Sequence, residues 1–227
     1  MRSTKALIAT AATALFATCV TSFAQSNDRF GLGAQPQVYL AHSTVQKDFR
    51  LDGEWSRQVS RWAPGSAFVV QAVIASRGAE AEQTLELVDP VAVVKDRLAE
   101  HLKRELELTN VSVLPDGFDA EGLDAFREKT KAGVLMVAIT RYWGIDDYRA
   151  KYSADVKLID LAQSIEITSS SCPRTVENVV DSSVTRDPVA RREAALANKG
   201  EALNAAFREA AVRCARQIAF RIVDRKK

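Results

Sequence analysis

The chemistry this chain can carry rests on a small set of side chains. Its cysteines are Cys19, Cys172 and Cys214, and the first lies in an apolar run near the N-terminus. The other two form an even pair, which in an exported chain reads as a disulfide; two free buried thiols are the alternative. His42 and His101 fall in separate elements, and no HExxH or CxxC spacing occurs, so no metal site is expected. There is no GxSxG, Walker or GxGxxG pattern; Gly31-Leu32-Gly33 stands alone in an aperiodic stretch. Ser169, Ser170 and Ser171 offer hydroxyls, but no histidine is placed to activate one, and they read as a solvated strand end. The expectation is therefore a protein without catalytic residues and without a cofactor.

One local concentration of aromatic and acidic side chains stands out: Tyr142, Trp143, Ile145, Asp146, Asp147 and Tyr148. It falls between an apolar run and an alternating one, so Arg141 to Arg149 is expected to be the tip of a long hairpin. Tyrosine and tryptophan dominate interface hot spots, which makes these six residues the candidate partner-binding patch. The alternative is that the aromatics fold over the sheet edge and the acids form a solvated turn. Two adjacent aspartates are too few for a calcium cage.

The elements that must position these groups begin after a leader. Arg2 and Lys5 precede the uncharged apolar run Ala6 to Val20, and Ser22-Phe23-Ala24 offers small residues to a signal peptidase. Residues 1–24 are expected to be a signal peptide cleaved before Gln25, the run being shorter than the ~20 residues of a spanning helix. Lipid attachment at Cys19 is the lesser alternative, because Phe16-Ala17-Thr18 is a poor lipobox. The expected location is the periplasm. The chain has 31 basic residues; without Arg2 and Lys5 it has 29, matched by 29 acidic ones, so the net charge of +2 belongs to the leader. That balance argues against nucleic-acid binding and gives no electrostatic reason for membrane docking, although peripheral association stays compatible.

With 227 residues and 47% hydrophobic composition, one core is expected rather than two. Residues 25–65 read as a partly ordered N-terminal extension, with a strand in Gln37 to Gln46 and a hairpin signal at Asp52-Gly53 or a helix over 54–62. The single domain is expected over 66–227. Ser66 to Ser76 is β-branched and apolar, a buried strand. Asp89-Pro90 starts a helix whose stripe is Val91, Val94, Leu98, Leu102 and Leu106, with Lys95, Asp96 and Glu100 opposite. Val111 to Leu114 is a short strand, and Glu121 to Lys131 a short helix with Leu123 and Phe126 inward. Val134 to Ile139 lacks polar residues, as a strand buried on both faces requires. Tyr152, Ala154, Val156 and Leu158 alternate with polar residues, and Ile165-Glu166-Ile167 leads a third antiparallel strand to Cys172-Pro173. A polar loop, Arg174 to Arg186, precedes a last helix from Asp187-Pro188, with a break at Gly200. Cys214 lies on its apolar stripe, facing the sheet. A bond to Cys172 closes a loop worth about 4 kcal/mol of chain entropy. The fold class expected is α+β, a two-layer sandwich: a mixed sheet of about five strands in the order β-α-β-α-β-β-β-α, with helices on one face.

The run GVLMVAITRYWG…YSADVKLIDL resembles the apolar strand, turn and long alternating strand ending in L-[IV]-D of the curli-secretion-pore (CsgG-like) family. It is also similar to candidate outer-membrane lipoproteins and ABC-transport auxiliary proteins. Those chains often place Ser/Thr-Gly after the aspartate; here Asp160 is followed by Leu161-Ala162-Gln163-Ser164, without the glycine. The placement of Cys172 and Cys214 resembles an exported two-cysteine subgroup. The resemblance implies envelope accessory or assembly roles and supplies no catalytic residue. Pore-forming members need long membrane-inserting hairpins, and none is legible here. The leading expectation is thus a non-enzymatic accessory or scaffold protein that binds another envelope component. A carrier of a small apolar ligand or lipid is the second, and a hydrolase the last.

Overall fold

In the computed structural model, residues 36–45, 47–52, 78–146, 149–180 and 187–224 are described. The expected leader with Cys19, the strand at 66–76, the turn or helix over 53–62, and Asp147 and Tyr148 lie outside the described residues. Along the chain come β1 (Val38–His42), β2 (Arg50–Asp52), a helical stretch at 78–84, α1 (Val91–Glu105), β3 (Val111–Val113), α2 (Ala120–Lys129), β4 (Val134–Asp146), β5 (Arg149–Asp160), β6 (Ile165–Ser171), β7 (Thr175–Asn178) and α3 (Pro188–Asp224). This is an α+β fold on a mixed sheet.

The β4–β5 hairpin is the axis of that sheet. Short strands lie end to end along each of its sides: β1 and β2 run parallel to β4, and β6 and β7 run antiparallel to β5. With β3 parallel to β1, the order is β3-β1-β4-β5-β6, and seven strands take part among the described residues. Val134, Leu135, Met136, Val137 and Ala138 are all buried, as a central all-apolar strand should be.

Several expectations need correction. Residues 38–52, expected in an extension, supply β1 and β2, and the compact unit begins at Gln37. β1 is a central strand because its parallel pairing reaches across nearly a hundred residues to β4, and local pattern carries no trace of such pairing. Gly133 and Gly144 make room for this arm: a Cβ on either would strike the backbone carbonyl of Gln37 or Arg50. Arg141 to Asp146 is strand rather than hairpin tip, since β4 reaches Asp146, and β5 starts at Arg149. β7 replaces the start of the polar loop expected at Arg174.

Helices cover both faces of the sheet rather than one. α1 and α3 pack on the face carrying Val38, Leu40, Met136, Val156 and Leu158. α2 covers the other face, where Leu123 and Phe126 join Phe118 and Tyr39 over Ala41, Leu135, Val137, Ile159 and Leu161. The α1 stripe is buried throughout, as its spacing predicts. Lys95, expected on the wet side, is instead 4% exposed, and its ammonium donates to the Leu114 carbonyl at 2.7 Å. Its aliphatic stem lies along the core while the charged end reaches the end of β3.

Two turns explain local sequence. Asp160 Oδ1 accepts from the Ala162 and Gln163 amides, forming an Asx turn. Ser164 then adopts φ +57°, the conformation that a glycine would take more readily. α3 is two helices joined at 197–200, where Asn198, Lys199 and Gly200 are left-handed, so the break expected at Gly200 is present.

Candidate functional site

The residues singled out at the hairpin end do not share a surface. A β-bulge after Thr140 inserts one residue, Arg141, into the β4–β5 pairing. Without it, strict alternation from Val134 would put Tyr142 on the face covered by α1 and α3. With it, Trp143 takes that place. Trp143 is 0% exposed, meets Phe49 and Phe207 at centroid distances of 5.2 and 5.7 Å, and donates from Nε1 to the Lys47 carbonyl at 2.5 Å. Ile145 is buried beside it. Neither side chain is available to a partner while the domain is folded.

Tyr142 and Asp146 lie on the opposite face. The Arg174 guanidinium carbon sits 3.7 Å from the Tyr142 ring centroid and that of Arg50 5.9 Å away, a cation–π arrangement. Asp146 receives Lys151 Nζ at 2.7 Å and Arg149 at 3.0 Å. The Lys151 hydrogen bond holds the Asp146 pKa below the ordinary carboxylate value. At this end of the hairpin the Asp146 carboxylate is thus held by two cations of the same hairpin, while the Arg149 Nε is buried without a hydrogen-bond partner.

The remaining candidates are dispersed. His42, on β1, has its pKa lowered first by burial and then by Lys95, and its Nδ1 is buried without a hydrogen-bond partner. His101, on α1, faces Glu105 at 3.0 Å and Arg104 at 3.0 Å on the helix surface. Ser169, Ser170 and Ser171 run along β6, with Ser170 buried. No group of three or more His, Cys, Asp or Glu among the described residues is arranged to hold a metal ion.

Cys172 and Cys214 are joined, with an S–S distance of 2.04 Å and Cα atoms 5.2 Å apart. Both are fully buried, and Cys172 Sγ also accepts from the Ala154 amide at 3.3 Å. The bond fastens α3 to the residue after β6.

Two features escaped the sequence reading. The first is a polar chain in the core: Thr140 Oγ1 donates to Asp89 Oδ1 at 2.7 Å and lies 3.1 Å from the Tyr152 hydroxyl. Asp89 Oδ1 also accepts from the Val91 amide at 2.9 Å, capping α1. Burial raises the pKa of Asp89, against the hydrogen bonds from Thr140 and Val91. Burial likewise raises that of Tyr152. The second is an outward stripe on α3, Arg213, Arg216, Gln217, Phe220 and Arg221, for which the three- and four-residue spacing in the sequence is the available signal.

No family model matches the chain, and no curated protein matches it. Solved structures do. Protein XCC0632 from Xanthomonas campestris, of the family DUF330, aligns at TM-score 0.38 and 8% identity, covering 85% of this chain and 86% of that one. The PelC dodecamer from Paraburkholderia phytofirmans aligns at TM-score 0.33 and 11% identity, covering 79% and 92%. A candidate lipoprotein from Caulobacter crescentus aligns at 0.28 and 16% identity, covering 64% and 98%.

Proposed function

We propose that this protein is a non-enzymatic accessory or scaffold protein of the periplasm or outer membrane, acting by binding another envelope component. The observation that carries the reading is the buried Cys172–Cys214 bond, a tie suited to an oxidising compartment. The leader-like sequence of residues 1–24 supports the same compartment. Among the described residues no helix is long and apolar enough to cross a membrane. The chemistry-bearing side chains are engaged in structural bonds: Asp89 caps a helix, Tyr152 and Thr140 bond each other, and Asp146 is clamped by two cations. A carrier role finds less support, because Phe49, Trp143, Phe207, Leu98 and Met136 fill the space between sheet and helices.

The test is crosslinking in the native envelope, followed by identification of the captured component. Recovery of one reproducible envelope component supports the reading. A co-purified apolar ligand with no crosslinked partner replaces it with the carrier function, and turnover of ester, phosphate or glycoside substrates replaces it with a hydrolase.

A further inference from the structure

We propose that the outward face of the last turns of α3 docks on an anionic lipid surface. Arg213, Arg216, Phe220 and Arg221 recur at helical spacing and form one stripe, opposite the buried Ala211, Cys214, Ala215, Ile218 and Ala219. Phe220 is 62% exposed, and it stands among guanidinium groups rather than alone. A single exposed apolar residue is ordinary; an aromatic ring sharing one helix stripe with three arginines matches the composition of an interfacial helix face. In the sequence, Asp224 is followed by the three cationic residues Arg225, Lys226 and Lys227.

Arg213 is shared with Glu177 and Glu209, whereas among the described residues Arg216 and Arg221 form no ion pair with a carboxylate. Arg221 donates to the Ser171 carbonyl at 2.5 Å, which holds it in place at the sheet edge while leaving its charge uncompensated. Besides Glu177 and Glu209 at Arg213, Glu105 approaches this face, and it is already engaged by Arg104 at 3.0 Å. Between the stripe, Pro173 and Glu105 lies a cleft of about 640 Å³, open enough for a phosphate headgroup. Guanidinium groups bind phosphate oxygens through paired hydrogen bonds, and Phe220 can enter the headgroup–acyl boundary. The overall balance of 29 acids and 29 bases after the leader conceals this clustering. The disulfide fastens the same helix segment to the sheet, so the stripe is presented on a rigid element.

The inference deepens the envelope reading by naming a partner class, and it is tested separately from it. The disulfide-bonded chain without residues 1–24 is sedimented with vesicles of phosphatidylcholine alone and with vesicles containing phosphatidylglycerol. Binding to the second set only, weakened by added salt, is expected. The double variant R216Q/F220S should reduce that binding more than about tenfold, since each basic residue near the surface contributes roughly fivefold and the ring adds its buried area. Its melting temperature should be unchanged, both sites being exposed. Removal of residues 225–227 should weaken binding further. Equal binding to neutral vesicles, no binding to either, or wild-type binding by R216Q/F220S each overturns the proposal. Loss of an acidic protein crosslink in R216Q/F220S without vesicle binding assigns the face to a protein and also overturns it. Failure on vesicles leaves a crosslinked envelope partner standing, and failure of crosslinking leaves vesicle binding standing.

Discussion

At the level of single residues, Trp143 and Asp89 illustrate opposite uses of burial. Trp143 fills the junction of Phe49 and Phe207, so Trp143→Ala should lower stability by about 3–5 kcal/mol in denaturant titration. Loss of a partner crosslink with unchanged stability would return Trp143 to the binding patch. Asp89 is a carboxylate whose folded pKa lies above the ordinary carboxylate value, chiefly through burial. The folded chain therefore holds the Asp89 proton more tightly than the unfolded chain does. The stability this adds is complete below the unfolded pKa and is lost as pH rises through the folded one. Asp89→Asn keeps an oxygen acceptor for the Thr140 and Val91 donors without the charge. It should flatten this part of the pH dependence and be relatively most stable at neutral pH. Asp89→Ala removes the cap as well and should cost about 1–2 kcal/mol. A wild-type pH profile in Asp89→Asn would remove the carboxylate from this account. Asp146 runs the other way: its lowered pKa adds stability that is present above pH 3.8 and is lost as pH falls through the folded value.

Among the elements, the bulge on β4 and the tie on α3 decide the most. Deleting Arg141 restores unbroken alternation, with Thr140 and Trp143 still on the helix-covered face, so that variant should fold with only a small change in denaturation midpoint. Collapse of its near-UV circular dichroism would show that the bulge itself is required. For α3, the bond spans a sequence separation of 42, and the double variant C172A/C214A should lose up to about 4 kcal/mol. Thermal melting with and without reductant measures the same quantity in the wild type. Insensitivity of the melting temperature to reductant would contradict it. Much at this scale was legible: the α1 stripe, the capping at Asp89, the central strand at Val134 and the break at Gly200 all follow from local spacing. The helix face of Lys95 was not, because a long amphipathic side chain can turn its stem inward and still reach a carbonyl.

For the whole molecule, the junction at Trp143 brings together the hairpin, the arm bearing Phe49 and the helix bearing Phe207. Unfolding should accordingly be one cooperative transition, with near- and far-ultraviolet circular dichroism superimposing in guanidinium. Separate midpoints would mean that the β1–β2 arm melts independently. The sequence by itself determined the α+β class, the long hairpin and the cysteine pair, because periodicity, caps and cysteine parity are local or compositional. Only the tertiary structure decided which strands lie side by side and which face each helix covers. Parallel pairing of β1 with β4 is non-local, and nothing near Val38 encodes its partner. It also decided that Trp143 and Ile145 of the candidate patch are core rather than surface. One inserted residue on a strand reverses every side chain beyond it, and whether a residue is inserted depends on the strand opposite.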